Sequence, residues 1–304
     1  MAASIAGAKA PRLDHAVACA LDVRATLGES PVWSARENAL YFADILEAKV
    51  HRWAPERGTH ESWGLPAAVA SLGLRERGGL VLALGNGFHL FDPDRGELAF
   101  VHHPEPQIPT NRLNDGKVSP EGRFFAGSMD DRPDKEPTGS LYRLDPDGGC
   151  ERVASGLIVS NGLAWSPDGG ILYHSDSRAA AIWRYPYDAQ TGAVGERRPF
   201  VAMRPEWGRP DGAAMDEEGC YWSCGVSAGR LNRFSPAGEL VGYVEMPVTH
   251  PTMPCFGGPG LRTLYVTSLR DGVPAEILAR TPQAGGIFSL EPGVAGAPVG
   301  LYRG

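Results

Sequence analysis

"IVSNGLAWSPDGGILYHSDS", residues 158–177, decides the fold because the chain repeats it with changed letters. An apolar run ends at Trp165, a Ser-Pro-Asp-Gly-Gly turn follows, and a second apolar run opens at Ile171. The same pattern recurs as "GESPVWSARENALYFADI" (28–45), "RLNDGKVSPEGRFFAGSM" (112–129) and "WGRPDGAAMDEEGCYWSC" (207–224). Aligned on Trp33, Val118, Trp165 and Met215, the four copies each carry an apolar residue seven positions on, at Leu40, Phe125, Leu172 and Trp222. Each then runs into a segment of the type "VHRWAP", "LYRLDP", "IWRYPY" or "LNRFSP", and fainter copies start near Leu74 and Phe256. Six units spaced roughly 40–50 residues apart have the period of propeller blades. Short apolar runs separated by Gly- and Pro-bearing turns, with helical periodicity nearly absent, predict small antiparallel sheets. The expectation is an all-β, six-bladed β-propeller with a central channel, its ring closed by a strand from the N-terminal "HAVACALDV". Residues 16–304 are expected to form one domain behind a loose tail at 1–15.

Composition is consistent with that reading and narrows the function. The 304 residues include 39 Gly and 26 Pro, and the formal net charge of -7 disfavours a nucleic-acid or anionic-membrane partner. No apolar run approaches the roughly 20 residues that span a bilayer, and the N-terminus lacks a continuous apolar segment of the secretory kind. Five cysteines with no framework spacing predict reduced thiols and a cytoplasmic location. There is no Gly-rich phosphate loop after a strand, so nucleotide binding has no support.

The repeat also sorts the polar residues. Four positions before each anchor stand Glu29, Asn114, Asn161 and Asp211, with Ala70 and Thr252 at the matching places of the fainter copies. Equivalent positions of successive blades are related by rotation about the channel, so these side chains converge at one mouth. Singly, Asn161-Gly162 and Asp211-Gly212 read as turn dipeptides, whereas Glu29 precedes Ser-Pro and is a poor turn former. Two carboxylates and two amides on one axis need a positive partner, and an all-oxygen set without Cys or His suits a divalent cation rather than structural zinc. Asp44 and Asp176 also match by repeat, and are expected to bond turn amides. His102 and His103 are read as solvated, and His174 and His250 as packing or wall residues.

"GESPVW", "NRLNDGKVSPEGRFFAGSM", "SNGLAWSPDG", "RPDGAAMDEEG" and "CFGGPGLRTLYVTS" resemble, in order, the motifs of the SMP-30/gluconolactonase family, which includes regucalcin and bacterial sugar lactonases. The resemblance runs from about residue 16 to the C-terminal "GGIFSLEPGVAGAPVGLYRG". It implies one divalent metal in the channel, be it calcium, zinc, magnesium, manganese or iron(II), with Glu29, Asn161 and Asp211 as ligands. It further implies that Arg112 and Asn114 contact substrate, and that Asp211 doubles as general base. The implied reaction is hydrolysis of a sugar lactone to the aldonic acid, the metal polarising the carbonyl and activating water. A non-catalytic calcium-binding propeller is the alternative. Animal members carry a glutamate shortly after the "GTM" motif; here "GSMDDRPDKEPTG" puts Asp130, Asp131 and Arg132 in that region, so substrate preference does not carry across.

Overall fold

The hairpin at 158–177 shows how each blade begins. In the turn, Gly169 donates its N–H to the carbonyl of Ser166, and Ser166 donates to that of Ile171. Gly169 has φ +72°, which glycine adopts without steric cost. Ser119–Arg123 and Asp216–Cys220 close in the same way. The two strands leaving each turn are almost wholly buried, whereas outer strands such as Thr59–Gly64 and Glu97–His102 are largely exposed.

The computed structural model describes residues 10–304, and six such units form six antiparallel sheets. Blade 1 consists of Gly28–Ser34, Ala39–Asp44, Lys49–Ala54 and Thr59–Gly64, and blade 2 starts at Val69–Leu74. Blades 3, 4 and 5 start at Asn111–Val118, Ser160–Trp165 and Arg209–Met215. Blade 6 takes three strands from the C-terminal part of the chain, Pro251–Gly257, Thr263–Ser268 and Ile287–Leu290, and its fourth, Ala18–Leu21, from near the N-terminus. The protein is thus the six-bladed propeller read from the repeats, with the closing strand where the sequence placed it. The one α-helix among the described residues, Ala275–Arg280, lies in a connection within blade 6.

Blade stacking supplies the core. Six apolar clusters each join neighbouring blades: Val32, Tyr41, Leu72 and Leu82 between blades 1 and 2, for example, or Ala214, Trp222, Phe256 and Leu264 between blades 5 and 6. The pairing of the first strand with the second shifts register at a corresponding place in every blade. Glu29, Ala70, Asn114, Asn161, Asp211 and Thr252 all stand at or inside these irregularities. A β-bulge re-aims a side chain and ends regular pairing, so the repeat places one steerable residue per blade beside the axis.

Part of the segment expected to be a loose tail is tied down. Residues 1–9 lie outside the described residues. Arg12 bridges Tyr243 in parallel, Leu13 donates its N–H to the Tyr243 carbonyl at 2.7 Å, and the Leu13 side chain packs against the core between blades 5 and 6. The exposed edge strand of blade 5 (Leu240–Glu245) attracts this pairing, which local sequence does not reveal.

Asp44 and Asp176 do bond turn amides. Asp176 accepts from Ile158, Val159, Arg178 and Ala179 N–H groups at 2.7–3.2 Å, and Asp44 from Thr26 and Leu27 at 2.8 and 3.1 Å. Each carboxylate therefore pins the chain entering its blade to the second strand. Asp176→Ala would strip four donors of their acceptor at a buried site and should cost about 3 kcal/mol. Asp188→Ala removes a cap from an exposed turn and should stay within about 0.5 kcal/mol. Urea unfolding midpoints of the two variants measure the difference.

Candidate functional site

The bulges turn four polar side chains toward the channel. Glu29, Asn114 and Asn161 are buried, with 5–8% of their surface exposed, and Asp211 is half-buried. Ser30 and Gly162, which follow Glu29 and Asn161, adopt φ +51° and +63°. At Gly162 glycine is needed for a second reason: a Cβ there would stand 2.4 Å from the Tyr221 hydroxyl oxygen and 3.0 Å from the Asp211 carbonyl oxygen. The remaining ring positions carry no free ligand. Ala70 is apolar core, and Thr252 spends its hydroxyl on the Gly28 carbonyl and on Thr267.

One directional run of hydrogen bonds links three of the blades. Arg112 Nη1 donates to Asn114 Oδ1 at 2.8 Å, and Asn114 Nδ2 donates to Asn161 Oδ1 at 3.2 Å and to the Ser160 carbonyl at 2.9 Å. Asn161 Nδ2 then donates to Ser177 Oγ at 2.7 Å, and Ser177 donates to the Pro210 carbonyl at 2.6 Å. This order fixes the Asn161 amide with its oxygen toward Asn114, keeping a second lone pair for another partner. Asn114 has both polar ends engaged within the protein, so its position orients Asn161 as well as lining the mouth. Arg112 is itself held by Asp131, whose Oδ1 accepts from Nε at 2.8 Å.

The two ring carboxylates are short of partners. Glu29 Oε2 accepts from the Ser30 N–H at 2.8 Å. Burial, then the negative charges of Asp211 and Asp115, push the Glu29 carboxyl well above its ordinary value. Asp211 is pushed up to about 8 by burial and by Asp115, with Arg209 opposing. Among the described residues no three His, Cys, Asp or Glu side chains gather as a metal site. The donors on offer are two carboxylates and a pre-oriented amide oxygen. That set fits a divalent cation of hard, oxygen-preferring character, whose charge would relieve the repulsion recorded in both carboxyls.

Asp115 and Lys117 escaped the sequence reading. Both are buried beneath the ring, and Lys117 Nζ donates to the Ala213 carbonyl in blade 5. Their signal was the charged alternation of "NDGK", masked because Asp-Gly reads as a turn. Asp131 was noticed without its role as the support of Arg112. Asp130 lies outside the ring: it is buried under an ion pair with Arg132 and accepts from the Arg132 and Glu136 N–H groups, shaping its loop. His174 is a buried packing residue bonded to Ser160. Past the ring, the channel ends in an apolar cavity of about 390 Å³, walled by residues such as Trp33, Leu72, Trp165 and Phe256 and by the C-terminal stretch Ala297–Leu301.

The raised carboxyls fix a pH response for cation-free protein. Folded Asp211 still holds its proton at pH values where the unfolded chain, with an ordinary value of 3.8, has lost it. Stability from this group is therefore full below about 4 and declines as pH rises toward about 8. Thermal melts of chelator-treated protein should show Asp211→Asn flattening that decline. A divalent cation should raise the melting temperature more at pH 8 than at pH 5.

A family model described as the SMP-30/Gluconolactonase/LRE-like region matches residues 27–270. The chain is 41% identical to a 6-deoxy-6-sulfogluconolactonase of Pseudomonas putida, over 96% of this chain and 100% of that one. It is 37% identical to regucalcin of Xenopus laevis, over 90% and 93% of the two chains. A solved structure of a calcium-binding protein, regucalcin, from Agrobacterium tumefaciens superimposes with a TM-score of 0.89 at 27% identity, covering 96% of this chain and 98% of that one. Fold and sequence agree, and the chain belongs to the SMP-30/gluconolactonase/LRE-like family.

Proposed function

We propose that this protein hydrolyses a sugar lactone to its aldonic acid, with one divalent cation held by Glu29, Asn161 and Asp211. The observation that carries the reading is the placement of these three donors at equivalent bulges of three blades, with Asn161 locked oxygen-forward by its neighbours. When bound, the cation supplies Lewis-acid polarisation of the lactone carbonyl and makes water a stronger nucleophile. Asp211 accepts the proton of the attacking water: its carboxylate has no hydrogen bond among the described residues and faces the channel mouth. Arg112, held by Asp131 and Asn114, keeps Nη2 without a protein acceptor among the described residues and offers it to the substrate's oxygens. Residues 16–304 act as one catalytic unit, and five free thiols suit the reducing cytoplasm.

The mouth also bears on the choice of lactone. The Lys135 ammonium is lowered by burial and by the nearby cations Arg112 and Arg178, with Asp131 and Asp130 opposing, and Arg209 acts on Asp211. This cationic rim, together with the relative named for a sulfonated gluconolactone, favours a substrate with an anionic tail. The test is a panel of neutral and sulfonated aldonolactones, assayed by proton release with no-enzyme controls, on protein reloaded with calcium, magnesium, manganese, zinc or iron(II). Regucalcin relatives support the competing reading of a cation-binding propeller without turnover. A folded, cation-loaded protein that accelerates no lactone would establish that one instead.

Arg112→Ala should raise KM about 10- to 100-fold while changing cation affinity less than about threefold. Asp211→Asn should lower kcat by at least about 10³-fold even at saturating cation. Steady-state kinetics beside isothermal titration with the cation separates the two effects.

A further inference from the structure

Beneath the ring lie a carboxylate and an ammonium that occupy none of the ring positions. Asp115 follows Asn114 in the bulge of blade 3, is 3% exposed, and receives the Leu163 N–H of blade 4 on Oδ2 at 3.2 Å. Its Oδ1 is buried without a hydrogen-bond partner among the described residues. Lys117 is also buried and reaches across to blade 5, where Nζ meets the Ala213 carbonyl two residues past Asp211. The charges acting on Lys117 include Asp115 and Glu29, and Asp115 in turn acts on Glu29 and Asp211.

The surrounding groups do not balance these charges. Arg112 is paired with Asp131, and Arg209 is exposed at the mouth, where solvent screens it. The nearby thiols of Cys224 and Cys255 are pushed up by burial and stay protonated. Three carboxyl groups, Glu29 and Asp115 buried and Asp211 half-buried, thus face one ammonium. Uncompensated buried charge is costly, and ionising all three would leave an excess of two negative charges for a divalent cation to offset.

We infer that Asp115 and Lys117 set the charge of the cation site from outside the ligand set, Asp115 adding attraction and Lys117 trimming it so that one divalent ion balances the channel. Neither residue belongs to the proposed ligand set. The inference rests on the cation reading given above, and extends it to two residues with opposite effects. A residue that only supported the fold would weaken cation binding whenever it was removed, whereas removing Lys117 should strengthen it.

The experiment titrates the chelator-stripped full chain with calcium, magnesium and manganese by calorimetry, using the tightest of the three thereafter. Asp115→Asn should raise Kd on the order of 10-fold or more, and Lys117→Met should lower it by a similar factor. The double variant should return to within about threefold of wild type. Lys117→Gln serves as a second charge-removing variant. If either Lys117 variant folds only with cation present, a cation-induced rise in melting temperature larger than wild type's reports the same sign. Terbium(III) gives an independent readout, since Lys117→Met should shift preference from the divalent ion toward the trivalent one. Shifts of both single variants in the same direction, or no shift in either, overturn the inference while leaving the cation site standing. Wild-type protein that binds none of the three divalent ions overturns both.

Discussion

Like charges buried together are the constraint around which this molecule is organised. Glu29, Asp115 and Asp211 come from blades 1, 3 and 5, and each is desolvated within reach of another. Left alone, such a group would protonate or pull the blades apart. The propeller resists because its stability lies elsewhere, in six apolar interfaces and in side chains such as Asp176 and Thr252 that tie blades and entering chain together. The cost concentrates on the axis, where a cation can offset it. A stable scaffold carrying an electrostatically unsatisfied centre is the arrangement expected of a functional site.

The bulges make this possible. A regular strand would alternate its side chains between the sheet's two faces, both of which pack against neighbouring blades. A register shift at the axis end of each first strand frees one residue from that alternation. Glycine and Ser30 accept the left-handed backbone this requires after Asn161 and Glu29. Identity can then vary from Glu to Asn to Asp while place does not. In blades 2 and 6, Ala70 and Thr252 return the position to packing and to interblade bonding.

Much of this was legible in the sequence. The spacing from Trp33, Val118, Trp165 and Met215 located both the blades and the ring, because a rotational repeat converts sequence register into spatial position. Asp44 and Asp176 were legible for the same reason. Pairings between blades were hidden, since nothing local encodes them: Lys117 bonds a carbonyl 96 residues away, and Asp115 an amide 48 away. Asp115 carried a further disguise, as an Asp-Gly dipeptide is explained well enough by a turn. The docking of Arg12 and Leu13 on blade 5 was hidden too, because an edge strand's open bonds are a property of the assembled sheet. Ring positions were therefore readable, and the buried charges beneath them were not.

The two ends of the channel are chemically unlike, and that difference gives the site its direction. The ring end has polar donors, a cationic rim and exposed Arg178 and Arg209. The other end is an apolar cavity across which the C-terminal stretch runs, with Ala297 donating to the Met215 carbonyl and Tyr302 to that of Leu74. Gly300 passes so close to blade 3 that a Cβ would fall 1.8 Å from the Ser119 carbonyl oxygen. A charged or hydroxylated substrate gains nothing by entering through apolar walls, so approach is confined to the ring end. Lys117 lines that cavity as well as standing beneath the carboxylates, placing an ammonium at the boundary between the dry and polar halves. A positive group there opposes any cation approaching from the apolar side, so the field of the carboxylates is felt chiefly at the open mouth.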